Sequence, residues 1–256
     1  MRMAGLLEVC ADSVCSAVNA ARGGADRIEL CSALPLGGLS PDEDLFCMVR
    51  ERVDIPVRVL LRPRAGDFLY DEDEFELLCH QASRFAGLGA DGIVIGMLNP
   101  DGTLDTERMS ALMTCGDGCG VTLHRAFDVC RDAHEALRTA KKLGVDTILT
   151  SGQQARCADG APLLRELVSE SGEGLRILIG GGVNADVIRA LAPQTGADAF
   201  HLSAKTAVPS GMEFRRENVP MGIPGLNEFE LWRCDEGAVR AAREALDAVC
   251  TARKEN

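Results

Sequence analysis

The run Gly24-Ala25-Asp26-Arg27-Ile28-Glu29-Leu30-Cys31 sets a guanidinium, a carboxylate and a thiol at alternate positions. In a strand, Arg27, Glu29 and Cys31 share one face, and Ile28 and Leu30 take the other. Leu6-Leu7-Glu8-Val9-Cys10 repeats the device, with Glu8 and Cys10 on one face. A charged face inside a parallel sheet must look into a polar space, either a barrel interior or a ligand crevice. A carboxylate there can move protons, so Glu29 is a catalytic candidate and Glu8 a substrate-binding one. If consecutive strands pair, Cys10 and Cys31 stand at one rim, and two soft sulfurs suit a cation such as Cu(I). Two buried, inert thiols are the alternative reading.

Other chemistry gathers where further strands should end. Val57-Arg58-Val59-Leu60-Leu61-Arg62 runs into Pro63 and Arg64. The proline holds the chain extended between Arg62 and Arg64, a spacing that suits a two-armed grip on a carboxylate or phosphate. Val121-Thr122-Leu123-His124-Arg125 ends on an imidazole, with Asp128 close enough in sequence to orient it. His124 and Asp128 are therefore candidates for general acid or base work, and a hydrogen-bonded core histidine is the competing reading. His201 reads as structural. Ser151 follows the strand Thr147–Thr150, and Gly180-Gly181-Gly182 precedes a helix capped by Asn184. Ser151, Gly181 and Gly182 are candidates for holding an anion through hydroxyl and backbone N–H groups, although a tight turn explains the glycines as well.

The elements that must position these groups follow from the remaining pattern. Gly-x-Asp before an apolar run occurs at Gly24, Gly89, Gly144 and Gly196, ahead of strands two, four, six and eight. Eight strands alternating with helices over 256 residues predict a single α/β domain, a TIM-like (β/α)8 barrel spanning residues 1–256. In such a barrel the working groups lie at the carboxyl ends of the strands. An open doubly wound sheet is the alternative, but Gly180-Gly181-Gly182 does not fit G-x-G-x-x-G. Ser40 is expected to cap a helix opened by Pro41, and Asp71 with Glu74 to form a capping box. Residues 205–233, rich in Pro and Gly, read as an irregular loop segment before the last helix.

The chain carries a net charge of −12, with 46% hydrophobic and 26% charged residues. That balance argues against nucleic acid or an anionic membrane surface as a main partner, since both reward clustered Lys and Arg. No apolar run approaches the ~18 residues of a membrane span. Eleven cysteines, scattered through the chain instead of forming a compact framework, predict reduced thiols and a cytoplasmic protein. Cys115 and Cys119 lack a second pair of ligands and make a weak zinc site.

Four stretches then meet a family. Ala25-Asp26-Arg27-Ile28-Glu29-Leu30-Cys31, Arg62-Pro63-Arg64-Ala65-Gly66-Asp67-Phe68, Thr122-Leu123-His124-Arg125-Ala126-Phe127-Asp128 and Leu149-Thr150-Ser151-Gly152-Gln153 closely resemble the CutC copper homeostasis proteins. The resemblance implies a single TIM-like barrel, a cytoplasmic location, a homo-oligomer (dimer or tetramer) and a link to copper. Residues 205–233 follow the family only loosely, around Ser210-Gly211-Met212 and Arg215.

Two functions stay open at this point. One is a copper homeostasis protein that binds Cu(I) through Cys10 and Cys31. The other is a barrel enzyme acting on a small phosphate or carboxylate by acid/base chemistry, through Arg62, Arg64, Glu29 and His124. A carrier needs reachable thiols; an enzyme needs the arginines and a titrating group to face one cavity. A third reading, an assembly scaffold, would show as an accessible hydrophobic patch.

Overall fold

Three of the Gly-x-Asp turns fasten one strand to the next. Asp26 Oδ2 accepts from the Leu7 N–H at 2.7 Å, Asp91 Oδ2 from Val57 at 2.8 Å and Asp146 Oδ2 from Val121 at 2.7 Å. Each carboxylate thus satisfies an N–H at the start of the preceding strand, where no ladder partner is present. Gly144 and Gly196 close their helices at φ 84° and 78°, in the left-handed region that a side chain would strain.

The computed structural model describes residues 5–216, 219, 222, 223 and 225–255. Its centre is a closed parallel barrel of β1 (Leu6–Ala11), β2 (Arg27–Leu30), β3 (Val57–Leu60), β4 (Gly92–Ile95), β5 (Gly120–Leu123), β6 (Thr147–Thr150), β7 (Arg176–Ile179) and β8 (Ala199–Leu202). The strands pair in sequence order, and β8 returns to β1. Around them lie α1 (Val14–Arg22), α2 (Glu43–Arg50), α3 (Glu72–Gly87), α4 (Thr106–Cys115), α5 (Ala133–Leu143), α6 (Ala161–Ser171), α7 (Ala185–Thr195) and α8 (Glu236–Glu255). This is the TIM-like (β/α)8 fold expected from the repeat. Among the described residues, no helix is long and apolar enough to cross a membrane.

Alternation divides the core as the strand pattern requires. Leu7, Val9, Ile28 and Leu30 belong to the large apolar layer shared with Phe46, Phe85 and Phe127, between strands and helices. The barrel interior holds two small apolar clusters, Cys31 with Leu60 and Val94, and Leu149 with Leu178 and Ala199. The interior polar groups of β1 and β2 are Glu8, Arg27 and Glu29, each less than one-tenth exposed.

Several elements end elsewhere than the sequence suggests. The third strand stops at Leu60 and the fifth at Leu123. Beyond Leu60, the Arg62 N–H donates to Ser40 Oγ at 2.9 Å instead of to a neighbouring strand. Ser40 is therefore not the cap of α2; Asp42 is, accepting from the Asp44 N–H, while Ser40 Oγ donates to Gln81 at 2.8 Å. The capping box of α3 forms as expected from Asp71 and Glu74.

The segment 205–233 is not irregular throughout. Its ends pair as an antiparallel ribbon, β9 (Lys205–Pro209) with β10 (Glu230–Cys234), closed by Lys205 Nζ lying 3.8 Å from the centre of the Trp232 ring. Long separation between the two partners hides this pairing from local pattern. Asn19 on α1 fastens its far end by donating to the Cys234 carbonyl at 2.9 Å. Residues 217, 218, 220, 221 and 224 of this segment, and 1–4 and 256 of the expected domain, lie outside the described residues.

Candidate active site

At the carboxyl ends of the strands a cavity of about 140 Å³ opens between Cys10, Glu29, Cys31, Arg62, Phe68, His124, Arg125 and His201, with Leu34, Gly37, Gly38, Leu60 and Leu149 completing its walls. At ~30 Å³ per water, it has room for a molecule of only a few heavy atoms.

Glu29 reaches it from β2, where the alternation turns it inward. Its Oε2 is buried without a hydrogen-bond partner. Burial pushes its carboxyl up to about 7, against the pull of His201 and with the push of Glu8. A carboxyl that titrates near neutrality can both take and return a proton.

His124 sits just past β5 and caps a 3-10 turn, Arg125–Val129, with its Nδ1 accepting from the Ala126 N–H at 3.1 Å. That bond fixes the tautomer, so Nε2 carries the hydrogen. Burial and then the nearby Arg62 push this imidazole down to about 3, which keeps it neutral. Its Nε2 is buried without a partner, a free N–H donor. Phe68 holds the ring from one side, with centroids 4.8 Å apart.

Arg62 contributes a second free donor. Its Nη1 donates to the carbonyls of Leu36 and Gly38, both at 3.2 Å, and its Nη2 to Gly66 at 2.8 Å. These bonds tie two loops over the cavity and leave Nε buried and unpaired. The guanidinium stacks on Phe68 at 5.2 Å.

Beneath the cavity lies Glu8, fully buried, with one oxygen taken by Arg27 Nε and the other 2.7 Å from His201 Nδ1. Burial opposes its ionisation, but Arg27 and His201 outweigh that and hold its pKa down at about 2. The same charges work in reverse on His201: despite burial, Glu29, Cys10 and Glu8 raise it well above the usual imidazole range. Glu8 is thus the counter-charge of the site's floor, outside its lining. His201, read as structural from the sequence, lines the cavity. The pairing of Glu8 with His201 across β1 and β8 carries the signal, since inward parity on one strand fixes it on its neighbour.

Other sequence candidates are placed elsewhere. Arg64 does not join Arg62 in a grip; it is half-buried and bonded to Glu74 and Asp67, while the Arg62 backbone is held by Ser40. Asp128 does not orient His124. It accepts from Arg125, Thr150, Ser151 and the Gln153 N–H, pinning the loop after β6. Ser151 is fully buried within that network. Gly181 and Gly182, at φ 94° and 86°, pack against the same loop, where a Cβ on Gly181 would stand 3.0 Å from that of Ser151. Asp128, Ser151 and the two glycines shape the rim and do not line the cavity.

The thiols Cys10 and Cys31 both line it. Burial, then Cys10 and Glu29, push the Cys31 thiol well above its usual range. Among the described residues, one group of three potential ligands draws its atoms within 4.8 Å of one another: Glu8, Glu29 and His201. Its chemistry does not suit a metal ion, because Glu8 is already paired with Arg27 and His201 carries a proton.

The model of the CutC family matches residues 5–206. The chain belongs to the CutC family. It is 42% identical over 236 residues to the Homo sapiens copper homeostasis protein cutC homolog, covering 92% of this chain and 86% of the human one. A CutC family protein of Chromobacterium violaceum is 40% identical over 242 residues, 94% of this chain and 98% of that one. The crystal structure of CutC from Streptococcus agalactiae superposes with a TM-score of 0.73 at 27% identity, over 78% of this chain and 98% of that chain. The family model ends within β9, so the cavity residues fall inside the CutC match and most of the ribbon segment falls outside it.

Proposed function

We propose that this CutC chain is an enzyme whose cavity performs acid–base chemistry on a small molecule bearing a carbonyl or carboxylate oxygen. The observation that carries the reading is that Glu29 Oε2, Arg62 Nε and His124 Nε2, three buried atoms without a hydrogen-bond partner, belong to residues lining one small cavity. Two N–H donors hold an oxygen on which negative charge develops, and Glu29 takes the proton from the neighbouring carbon and returns it. A neutral imidazole donor serves this better than a cation that would hold the charge permanently. The test is exchange: small 2-oxo acids such as pyruvate are incubated with the protein in D2O, and loss of the proton next to the carbonyl is followed by NMR. Exchange that disappears in Glu29→Gln is expected. A full panel without protein-dependent exchange removes the reading.

A second reading rests on the thiols. Cys10 and Cys31 share the cavity wall, and two soft sulfurs suit Cu(I), in keeping with the copper homeostasis name of the human relative. Here copper is cargo, held at the same mouth. The eleven free cysteines support a cytoplasmic location, where thiols stay reduced. Homo-oligomer formation is supported by exposed Met212, Phe214, Val219, Ile223, Leu226 and Leu231, gathered on the segment that the ribbon projects.

A further inference from the structure

The other end of the barrel has a larger cavity that the acid–base site does not use. About 620 Å³ opens at the amino ends of the strands, between the turn Gly172-Glu173-Gly174, the turn Gly196-Ala197-Asp198 and the end of α8. That volume is in the range of small-molecule pockets. Its walls mix apolar groups, Leu6, Val168, Leu175 and Ile177, with four arginines: Arg27, Arg58, Arg176 and Arg253.

The arginines differ in what they have left to give. Arg253 is spent on the carbonyls of Ala192, Gly196 and Ala197. Arg58 is held by Asp146, at 2.8 and 3.1 Å, and by Thr122 at 2.7 Å. Arg176 touches one acid among the described residues, with Nε 3.5 Å from Asp198 Oδ1. Arg27 is 8% exposed and gives Nε to Glu8, while its Nη2 is buried without a partner. Arg27 lines the cavity, and a guanidinium N–H buried without an acceptor is costly. The remaining acid, Glu173, stands on the rim between two glycines at φ 65° and 90°.

We propose that this cavity is a second ligand site, for a small molecule carrying a phosphate or carboxylate group, with the Arg176 guanidinium taking the anionic group, the Arg27 side chain adding positive charge beside it and the apolar wall taking the body. The guanidinium groups supply directed donors for a planar or tetrahedral oxyanion. The site lies across the barrel floor from the acid–base cavity, with the Arg27–Glu8 pair between them. It is chemically separate from it, since no residue lines both cavities.

Inorganic phosphate is the probe, and Arg62→Ala protein is the reference, so that any anion held at the upper cavity is weakened beforehand. Binding is read as the phosphate-dependent rise in melting temperature at constant ionic strength. The expected result is that phosphate stabilises Arg62→Ala protein and that adding Arg176→Ala weakens the apparent affinity about tenfold or more. Arg176→Lys, which keeps a point charge, recovers part of it. Circular dichroism and the ligand-free melting temperature check that each variant is folded. No stabilisation of Arg62→Ala protein by phosphate overturns the proposal, whatever happens at the upper cavity. Equal stabilisation with and without Arg176 overturns it too.

Discussion

His201 Nδ1 and Glu8 Oε1 lie 2.7 Å apart at paired positions of β8 and β1, and this contact closes the floor of the upper cavity. Glu8 is the anion shared by two buried cations, Arg27 and His201. Removing it leaves Arg27 without its anion and His201 with only Glu29 and Cys10, so Glu8→Gln should cost about 3–5 kcal/mol, the usual penalty for breaking a buried ionic group by one partner. Urea unfolding at neutral pH measures this directly. A loss below about 1 kcal/mol would mean that water or rearrangement replaces the carboxylate.

Glu29 makes the opposite contribution. Its folded pKa of about 7 lies above the unfolded value near 4.5, so the folded state holds the proton more tightly. Below pH ~4.5 both states are protonated and no penalty exists; as pH rises towards 7, stability falls, by at most about 3 kcal/mol, and then levels. Glu29→Gln stays neutral and should lack that fall. Stability curves of the two proteins between pH 4 and 8 therefore diverge in favour of the variant. Parallel curves would place the Glu29 titration in the ordinary carboxylate range.

Much of this architecture is legible in the sequence because it depends on period and punctuation. The alternation around Glu8 and Glu29 fixes which side chains enter the barrel, and the Gly-x-Asp turns fix where strands begin. The rim is less legible. Arg62 and Arg64 look alike in sequence, yet Ser40, 22 residues upstream of Arg62, turns one inward and leaves the other on Glu74. Asp128 looks like a partner of His124 at four residues' distance, but the 3-10 turn carries it to the loop after β6. Such choices rest on contacts between separate loops, which no local pattern encodes.

The thiols give a sharp test of the copper reading. If Cu(I) binds at the cavity, Cys10→Ser and Cys31→Ser should each weaken it by about a hundredfold or more, measured by competition with a Cu(I) chelator. Because burial holds the Cys31 proton on, binding must displace it, and affinity should rise as pH rises. Unchanged affinity in both variants would move copper to other thiols.

The exposed apolar residues of the ribbon segment bear on assembly. Phe214 is 66% exposed and Leu231 40%. If they meet a second copy, Phe214→Asp with Leu231→Asp should lower the mass in solution, measured by light scattering after size exclusion, while the barrel's melting temperature changes little. A mass equal to that of the unmodified protein would separate the segment from any assembly.

Gly96 offers a way to disturb the His124 donor without touching it. A Cβ there would fall 2.5 Å from His124 Cε1 and 2.6 Å from its Nδ1. Gly96→Ala must therefore tilt the imidazole, and its φ is not in the left-handed region, so backbone strain does not confuse the result. Overpacking of this kind costs about 1–3 kcal/mol in stability. The larger effect should fall on the site, because a donor moved by about 1 Å no longer meets an oxygen held by Arg62. The His124 ring resonances should shift in NMR spectra, and exchange of a 2-oxo acid's proton should fall by about a hundredfold. If exchange in Gly96→Ala matched that of the unmodified protein while those resonances moved, His124 would have no part in holding the oxygen, and Arg62 Nε alone would have to bear the developing charge.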